Sequence, residues 1–323
     1  MSHFVQQKNT LNAFASSDSW VILSPIEQSI KQKIEAVGVP LKDWDINIYR
    51  GVLTGCNEAF IINTDKRNEI LANCKDEAER KRTEELIRPI LRGRDIKRYG
   101  YEWAGLWLIA TFPARHYDID RYPAVKEYLL SFAKEYLRKN GCEWVVDDYL
   151  ADFCKQKLSQ TGKYIVINGN ELTINGKKEK ARKRTSNKWF ETQDSISYWE
   201  DFDKPKIIFQ EMVQESQFYF DSEGRFLCND TCRILTGEHL PFLLTLLNSH
   251  LFFYAVKHFY GGGSLGANGV RMKHTFFNKF PCLLYDEEVE LAIGSNDKYK
   301  IDLTICNKYH LSMEETQEVM NSF

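Results

Sequence analysis

Apolar residues recur at helical spacing near the start of the chain. Ile26, Ile30 and Ile34 are four residues apart, and Val37 extends the same stripe. The segment Ser24-Pro25-Ile26-Glu27 places serine at the N-cap, proline at the first helical position and glutamate at the third, which is a capping box. Gly38 ends the pattern and Pro40 prevents its restart. The sequence therefore predicts an amphipathic helix from Pro25 to Val37.

Short apolar runs bounded by turn residues predict strands over much of the remaining chain. The predicted strands cover residues 46–53, 59–62, 106–112, 164–167, 172–174, 206–210, 218–220 and 225–227. We expect residues 46–53 and 59–62 to pair across the turn Thr54–Asn57, and residues 218–220 and 225–227 to form a hairpin around Asp221–Gly224. These are pairings of neighbours along the chain.

Longer patterns predict four more helices. They cover residues 75–91, 123–140 and 239–260, and a terminal stretch from Ser312. Pro89 weakens the last turn of the first of these, because proline lacks the backbone donor that a helix interior needs. Strands and helices mix without regular alternation and no internal repeat is present, so we predict an α+β fold with mixed or antiparallel sheets and packed helices.

Composition limits the class of protein. The 323 residues are 43% hydrophobic and 27% charged, with a net charge of -2, which suits a globular protein and excludes a uniformly basic nucleic-acid binder but not a local basic face. The eight cysteines lack paired spacing, no signal peptide is evident, and polar residues interrupt the apolar stretch 241–260. We therefore expect a reduced cytoplasmic protein that does not enter a membrane.

Two familiar catalytic motifs are missing from the sequence. It contains neither a phosphate-binding G-x-x-x-x-G-K-[ST] loop nor H-E-x-x-H, and no two prolines are adjacent, which excludes the Asn-Pro-Pro-aromatic loop of amino-methyltransferases. Cys228, Cys232 and His239 are conceivable zinc ligands, but packing as small apolar residues is the favoured interpretation of the cysteines. Asp147-Asp148 is either a metal ligand pair or, more simply, solvated or capping.

Three basic segments are the strongest chemical signal. They are Arg88–Tyr99, Lys177–Lys188 and the group Arg271, Lys273 and His274, which follows the glycine-rich stretch 261–269. Lysine attracts DNA phosphates through counterion release, and the arginine fork fits phosphate oxygens or the major-groove edge of guanine. The alternatives are a solvated surface, ion pairing of the first segment with Asp95 or Glu85, and a flexible linker at the glycines.

Several blocks, taken in order, carry a family resemblance. They are Tyr49–Phe60, Ile90–Tyr99, Lys188-Trp189-Phe190, Lys204–Ile208, Leu243–Ser249, Phe280-Pro281 and the tail from Ile301 to Glu315. With these blocks the chain resembles the C-terminal specificity domain of Taq-type adenine methyltransferases and type IIG restriction-modification enzymes. The resemblance runs from about Trp20 into the tail.

The resemblance implies sequence-specific recognition of double-stranded DNA, in a bacterial system of phage defence. It also implies a division into a helical connector (1–45), a target-recognition domain (46–285) and a C-terminal tail (286–323). The expected DNA-binding residues are Arg50, Arg94, Lys97, Arg98, Arg182, Lys183, Arg184, Lys188, Arg271 and Lys273. Phosphate contacts would position the duplex and a few side chains would read bases.

Catalysis is not expected from this chain, because the resemblance places it in other domains. In the complete enzymes a methyltransferase domain of the same polypeptide binds S-adenosylmethionine and flips adenine out of the duplex, and type IIG members add a nuclease domain, with Mg²⁺ as its metal. No cofactor is expected here. Two alternatives stay open: a protein-interaction module that docks its Pro25 and tail helices onto a catalytic subunit, and an intact enzyme of unknown type.

Overall fold

The computed structural model describes residues 23–139, 158–160, 163–168, 171–174, 177–180, 186–260, 264–265, 269–272, 278–292 and 297–322. The helices in these ranges are α1 (Pro25–Val37), α2 (Asn57–Phe60), α3 (Thr64–Ala72), α4 (Glu77–Leu86), α5 (Pro123–Lys139), α6 (Leu240–Leu247), α7 (His250–Ala255), α8 (Glu287–Ala292), α9 (Lys298–Lys308) and α10 (Met313–Met320).

The strands in the same described ranges belong to six small sheets. They are β1 (Val39–Pro40), β2 (Ile46–Arg50), β3 (Ile61–Asn63), β4 (Ile87–Leu91), β5 (Ile96–Lys97), β6 (Gly100–Tyr101), β7 (Leu106–Ile109), β8 (Leu158–Gln160), β9 (Lys163–Asn168), β10 (Glu171–Ile174), β11 (Lys177–Lys180), β12 (Lys206–Gln210), β13 (Met212–Val213), β14 (Phe218–Asp221), β15 (Leu227–Cys228), β16 (Cys232–Gly237), β17 (Ser264–Leu265), β18 (Gly269–Arg271) and β19 (Pro281–Cys282). Among these strands of the described residues, all pairs are antiparallel except β15 with β4, which confirms the predicted α+β fold with mixed sheets.

A four-stranded sheet in the order β14-β12-β16-β2 separates two hydrophobic clusters. Successive side chains of a strand point to opposite faces, and β12 shows the consequence. Ile208 belongs to the cluster that includes β4, β7 and α5, whereas Ile207 and Phe209 belong to the cluster that includes α6, α7 and the chain ends. Because both faces of β12 are covered, its run of apolar residues is continuous.

The predicted pairing of residues 46–53 with 59–62 is wrong. Strand β2 pairs with β16, and β3 pairs with β7. Between β2 and β3 the Thr54 hydroxyl accepts from the Cys56 amide and donates to the Asn57 side chain, and α2 follows. Ser and Thr side chains that bond nearby backbone favour such a local turn over a strand ladder.

The structure also differs from the predictions for residues 75–91, which include Pro89, and for residues 218–227, which include Asp221. The predicted helix over 75–91 ends at Leu86, and residues 87–91 form β4, where Pro89 lies opposite Trp107. The predicted hairpin over 218–227 is also wrong, since β14 pairs with β12 and β15 pairs with β4. The buried Asp221 carboxylate accepts from the amides of Arg225 and Phe226 and so turns the chain away.

The predicted helix over 239–260 divides into α6, α7 and a π-helical turn, Val256–Tyr260. Ser249 caps α7 by accepting from the Phe252 amide, and the Asn248 side chain bonds both backbone groups of Phe218. Within the described residues no single helix is long and apolar enough to cross a membrane; the pair Leu240–Leu247 and His250–Tyr260, bent by 62°, qualifies by length and composition alone.

The predictions for the first and last helices are confirmed, including the capping box at Ser24. Ser312 forms a second capping box with Glu315. Helix α1 contributes Ile30 and Ile34 to the same cluster that receives Ile301 and Val319 from the tail. Strand β1 pairs with β19, so an early and a late part of the described chain lie together. The division at residues 45 and 285 stays a prediction.

Candidate nucleic-acid interface

A cleft of about 520 Å³ collects polar residues from widely separated parts of the chain. Its lining residues are Arg92, Gly93, Arg94, Gln210, Glu211, Met212, Asn229, Asp230, Thr231 and Arg271. Most of them follow the ends of β4, β12 and β15, whereas Gln210 is the last residue of β12, and Met212 and Arg271 lie in β13 and β18. Arg94 and Arg271 were predicted as DNA-binding residues, and the fold places both in the cleft.

A short 3-10 turn, Gly93–Asp95, positions Arg94 on one wall. The Asp95 carboxylate is buried and accepts from the Arg92 backbone and guanidinium, which fixes the turn. The Gly93 amide donates to the Thr231 hydroxyl, and a Cβ at position 93 would lie 2.5 Å from the Gln210 Oε1. Arg94 itself is exposed and has no ion pair with any described residue.

Glu211 organises the opposite wall. Its carboxylate accepts from Arg271 Nε at 3.0 Å and from Arg233 Nη2 at 2.8 Å. Its backbone amide donates to the Thr231 carbonyl, and its carbonyl accepts from the Met272 amide. The register of β13 on β18 sets Met212 opposite Arg271. The wall therefore carries a fixed carboxylate between two arginines, with Arg271 partly exposed to solvent.

Arg50 lies at the end of β2, beside the cleft. Its guanidinium is 3.4 Å from Asp230, which lines the cleft, and 3.9 Å from Asp194. Burial raises the pKa of Asp194, and the charge of Arg50 opposes that shift. Burial also raises the pKa of Tyr198 to about 12, so this phenol stays protonated and donates to the Arg50 carbonyl at 2.9 Å.

Lys188 is exposed and begins the segment that leads to Asp194. The segment is folded on itself, since the Lys188 amide donates to the Glu191 carboxylate and the Asn187 side chain donates to the Thr192 carbonyl. The Gln193 amide donates to the Leu53 carbonyl at 3.1 Å, which holds the segment against the residues that follow β2. Lys188, Arg50 and the cleft are thus linked by a continuous set of contacts.

Arg98 and Lys97 do not line the cleft. The Arg98 side chain is 14% exposed and lies 3.5 Å from Asp302 of α9, which is 1% exposed. Ion pairing within the protein was the alternative to DNA binding for the first basic segment. Arg98 forms such a pair, but with Asp302 and not with Asp95 or Glu85. Arg92 pairs with Asp95 as that alternative proposed. Lys97 pairs with Glu102 on the surface.

Comparison with known proteins shows the family. The model of the TaqI-like C-terminal specificity domain matches residues 88–265, more than half of the chain. The chain belongs to this family. The match confirms the resemblance inferred from the motifs, and it includes the cleft residues from Arg92 to Thr231 but not Arg50 or Arg271. A search of the curated proteins gave no match.

One solved structure supports the fold of the specificity domain, and a second is reported beside it. The type IIG restriction endonuclease BpuSI has a TM-score of 0.53 at 12% identity, over 92% of this chain and 32% of BpuSI. The type IIL restriction-modification enzyme MmeI, solved in complex with DNA, has a TM-score of 0.46 at 12% identity, over 87% of this chain and 36% of MmeI. The chain spans about a third of the length of each of these proteins.

The specificity domain has nearly balanced charge around its cleft. Five arginines (Arg50, Arg92, Arg94, Arg233 and Arg271) face four carboxylates (Asp95, Asp194, Glu211 and Asp230). Sequence analysis singled out some of the arginines but none of Gln210, Glu211, Met212 or Asn229–Thr231. The available signal was weak, because these residues are marked only by polar side chains that directly follow strands. That position does not indicate which other residues or ligands the side chains contact.

Several predicted site residues lie outside the described residues. They are Arg182, Lys183, Arg184 and Lys273. His274 and the pair Asp147-Asp148 also lie outside the described residues. Of the conceivable zinc ligands, Cys228 and Cys232 are buried, and burial raises the pKa of Cys232. Cys232 Sγ donates to Asn229 Oδ1 at 3.6 Å. The described residues include no group of three or more side chains placed to hold a metal.

Proposed function

We propose that this chain recognises a specific sequence of double-stranded DNA as the specificity domain of a restriction-modification enzyme. The observation that carries the proposal is the meeting of Arg50, Arg94 and Arg271 at one cleft in a chain of this family. These residues are far apart in the sequence, so only folding brings them together. A local cluster of arginines is what phosphate and base recognition requires, even where the net charge of the chain is near zero.

The residues then have different roles. Arg50, Lys188 and Arg271 are exposed on or beside the cleft and suit contacts to phosphates, which position the duplex without reading it. Arg98 pairs with the buried Asp302 of α9, so we assign it a structural role and not a DNA contact. Lys97 lies on the β5–β6 hairpin and contributes to the surface potential only.

Salt dependence of binding tests the proposal. The 323-residue chain is titrated with labelled duplexes of random sequence at several salt concentrations, beside Arg50→Glu and Arg271→Glu. The matched control is Arg80→Glu, on α4, where Arg80 pairs with Glu84 away from the cleft. Each reversal at the cleft should weaken binding and lower the slope of log K against log salt, since each phosphate contact contributes about 0.9 to that slope. If Arg50→Glu and Arg271→Glu keep the same slope of log K against log salt as Arg80→Glu and the wild-type chain, the proposal is rejected.

The parent enzyme is proposed to be an adenine-specific DNA methyltransferase with a linked type IIG endonuclease, acting in bacterial phage defence. S-adenosylmethionine and Mg²⁺ would then be bound by its catalytic domains, and the methyltransferase domain would be a partner within the same polypeptide. Methyl transfer from labelled S-adenosylmethionine to DNA by the complete reading frame, followed by identification of the methylated base, tests adenine specificity. Cleavage of the same DNA in Mg²⁺ tests the endonuclease.

A docking module is the second candidate, and one observation favours it. Five large apolar residues between positions 284 and 313 are exposed: Leu284, Tyr285, Leu291, Tyr299 and Met313. Exposed apolar surface of this kind is typical of contacts between domains. The Arg182–Lys188 run distinguishes the candidates. If reversing its charge leaves the DNA affinity and its salt dependence unchanged, docking is preferred.

A further inference from the structure

We infer that Arg94 and Met212 read base edges in the major groove, with Arg94 on guanine and Met212 on the methyl group of thymine. The inference rests on the proposed function, because it assigns specificity-determining residues within the same cleft. It separates these two side chains from Arg50, Lys188 and Arg271, which are assigned to phosphates.

Met212 is the unusual member of the cleft. Its side chain is 56% exposed although its neighbours are charged or polar. Its backbone is fixed, since β13 pairs with β18 and the Gln210 amide group donates to the Met212 carbonyl. An exposed, flexible thioether on a fixed backbone suits contact with an apolar group. The 5-methyl group of thymine is the apolar group that a duplex presents in its major groove.

Arg94 differs from the other arginines in its electrostatic surroundings. Arg50 and Arg271 contact Asp230 and Glu211, whereas Arg94 has no acidic partner among the described residues. Its five donors are therefore available to a ligand, and the 3-10 turn locked by Asp95 fixes the point from which the side chain starts. An arginine fork on the N7 and O6 atoms of guanine is the commonest specific contact in the major groove.

The carboxylates in the cleft argue for bases and against phosphates. Glu211 and Asp230 line it together with Arg94 and Arg271 and would disfavour a phosphate placed between them. Base edges present both donors and acceptors, so a cleft that holds carboxylates, amides and an arginine is complementary to them. The phosphates would then lie at the edge of the cleft, beside Lys188, Arg50 and the exposed part of Arg271.

Selection from random duplexes by the whole chain tests the inference. The variants are Arg94→Ala and Met212→Ala, with Arg80→Ala as the control, and circular dichroism confirms that each is folded. We expect Arg94→Ala to lose a guanine preference at one position by about 5- to 100-fold while the other positions keep theirs. Met212→Ala should lose a thymine preference at another position.

Uracil substitution gives the sharper test of Met212, because uracil lacks only the methyl group. Replacing the preferred thymine by uracil should weaken wild-type binding about 4-fold, the value of one buried methyl, and should leave Met212→Ala unchanged. An equal loss in both proteins overturns the assignment of Met212.

Two other outcomes separate this inference from the proposed function. If the variants select the wild-type sequence, with weaker binding and a lower salt slope, the side chains contact phosphates and the inference fails alone. If the wild-type chain enriches no sequence, the proposed function fails and the inference fails with it.

Discussion

Lys33 Nζ donates to Glu315 Oε2 at 2.6 Å, and this pair of residues, 282 positions apart in the sequence, joins α1 to α10. The same carboxylate accepts from the Ser29 hydroxyl and from the Ser312 amide, each at 2.6 Å. Glu315 therefore caps α10 and also ties it to α1. The first and last described helices form one packed unit on the hydrophobic cluster that adjoins the central sheet.

Replacing Glu315 by glutamine should destabilise the protein in a pH-dependent way. Burial alone would raise the pKa of Glu315, but the bonds from Lys33, Ser29 and Ser312 outweigh it and lower the pKa from 4.5 to about 2. A lowered carboxyl pKa stabilises the fold above the unfolded value, and this contribution is lost as pH falls through the folded value. We expect Glu315→Gln to cost about 2 kcal/mol at pH 7.

Urea unfolding of wild type and Glu315→Gln checks this expectation. The difference in free energy should be constant from pH 7 to about pH 5 and should shrink as the pH approaches 2. Glu314→Gln is the control, since Glu314 is the exposed neighbour on the same helical turn. A difference that does not change with pH would assign the effect to packing instead of charge.

Lys206→Met tests the most deeply buried ion pair among the described residues. Lys206 is fully buried and donates to Asp221 at 2.6 Å and to the Phe202 carbonyl at 2.7 Å. Burial lowers the pKa of Lys206 against the charge of Asp221. Removing the ammonium leaves a buried carboxylate without its counterion, which typically costs 3–5 kcal/mol, so we expect a loss of about 3 kcal/mol because two backbone amides still bond Asp221.

Guanidinium denaturation of Lys206→Met and Lys204→Met measures that loss. Lys204 is an exposed lysine two residues earlier that pairs with Asp201. Its replacement should leave the midpoint close to wild type, because exposed pairs contribute little. Equal midpoints for the two variants would show that the buried pair is energetically neutral.

Elements with local signals could be predicted from the sequence, and their partners could not. Ser24 and Ser312 each mark the start of a helix, because each caps it together with a glutamate three residues later. By contrast, β2 pairs with β16 and β3 pairs with β7, in competition with the local pairing of β2 with β3, and both partners are distant in the sequence. A single sequence carries no record of that competition.

The site shows the same limit. Arg50 and Arg94 stand out as arginines in motifs, but the partner of Arg50 is Asp230, 180 positions away. Arg98 lies in the same basic segment as Arg94, yet it is largely buried and pairs with Asp302. Met212 gives no polar signal at all. Charge marks candidate residues in the sequence, whereas tertiary contacts decide which of them reach a ligand.

Gly51→Ala should disturb both the fold and the interface. A Cβ at this position would lie 1.9 Å from the Asn229 carbonyl oxygen. The backbone has little room to move, since the Gly51 amide donates to Cys232 and the Val52 amide donates to Cys228. We expect a loss of about 3 kcal/mol, seen as a lower melting temperature, and weaker DNA binding because Arg50 is displaced. Gly100→Ala is the control, because no described atom lies within 4 Å of its added Cβ.

Arg98→Ala and Lys188→Ala should have opposite effects on stability and on DNA binding. Arg98 pairs with the buried Asp302, which also accepts from the His250 backbone at 2.8 Å, so its loss should cost about 2 kcal/mol and leave the salt slope unchanged. Lys188 is exposed, so its loss should leave the melting temperature unchanged and lower the salt slope by about one. Thermal unfolding and a salt titration of both variants measure the four quantities. A reduced slope for Arg98→Ala would place that side chain on DNA and contradict its structural assignment.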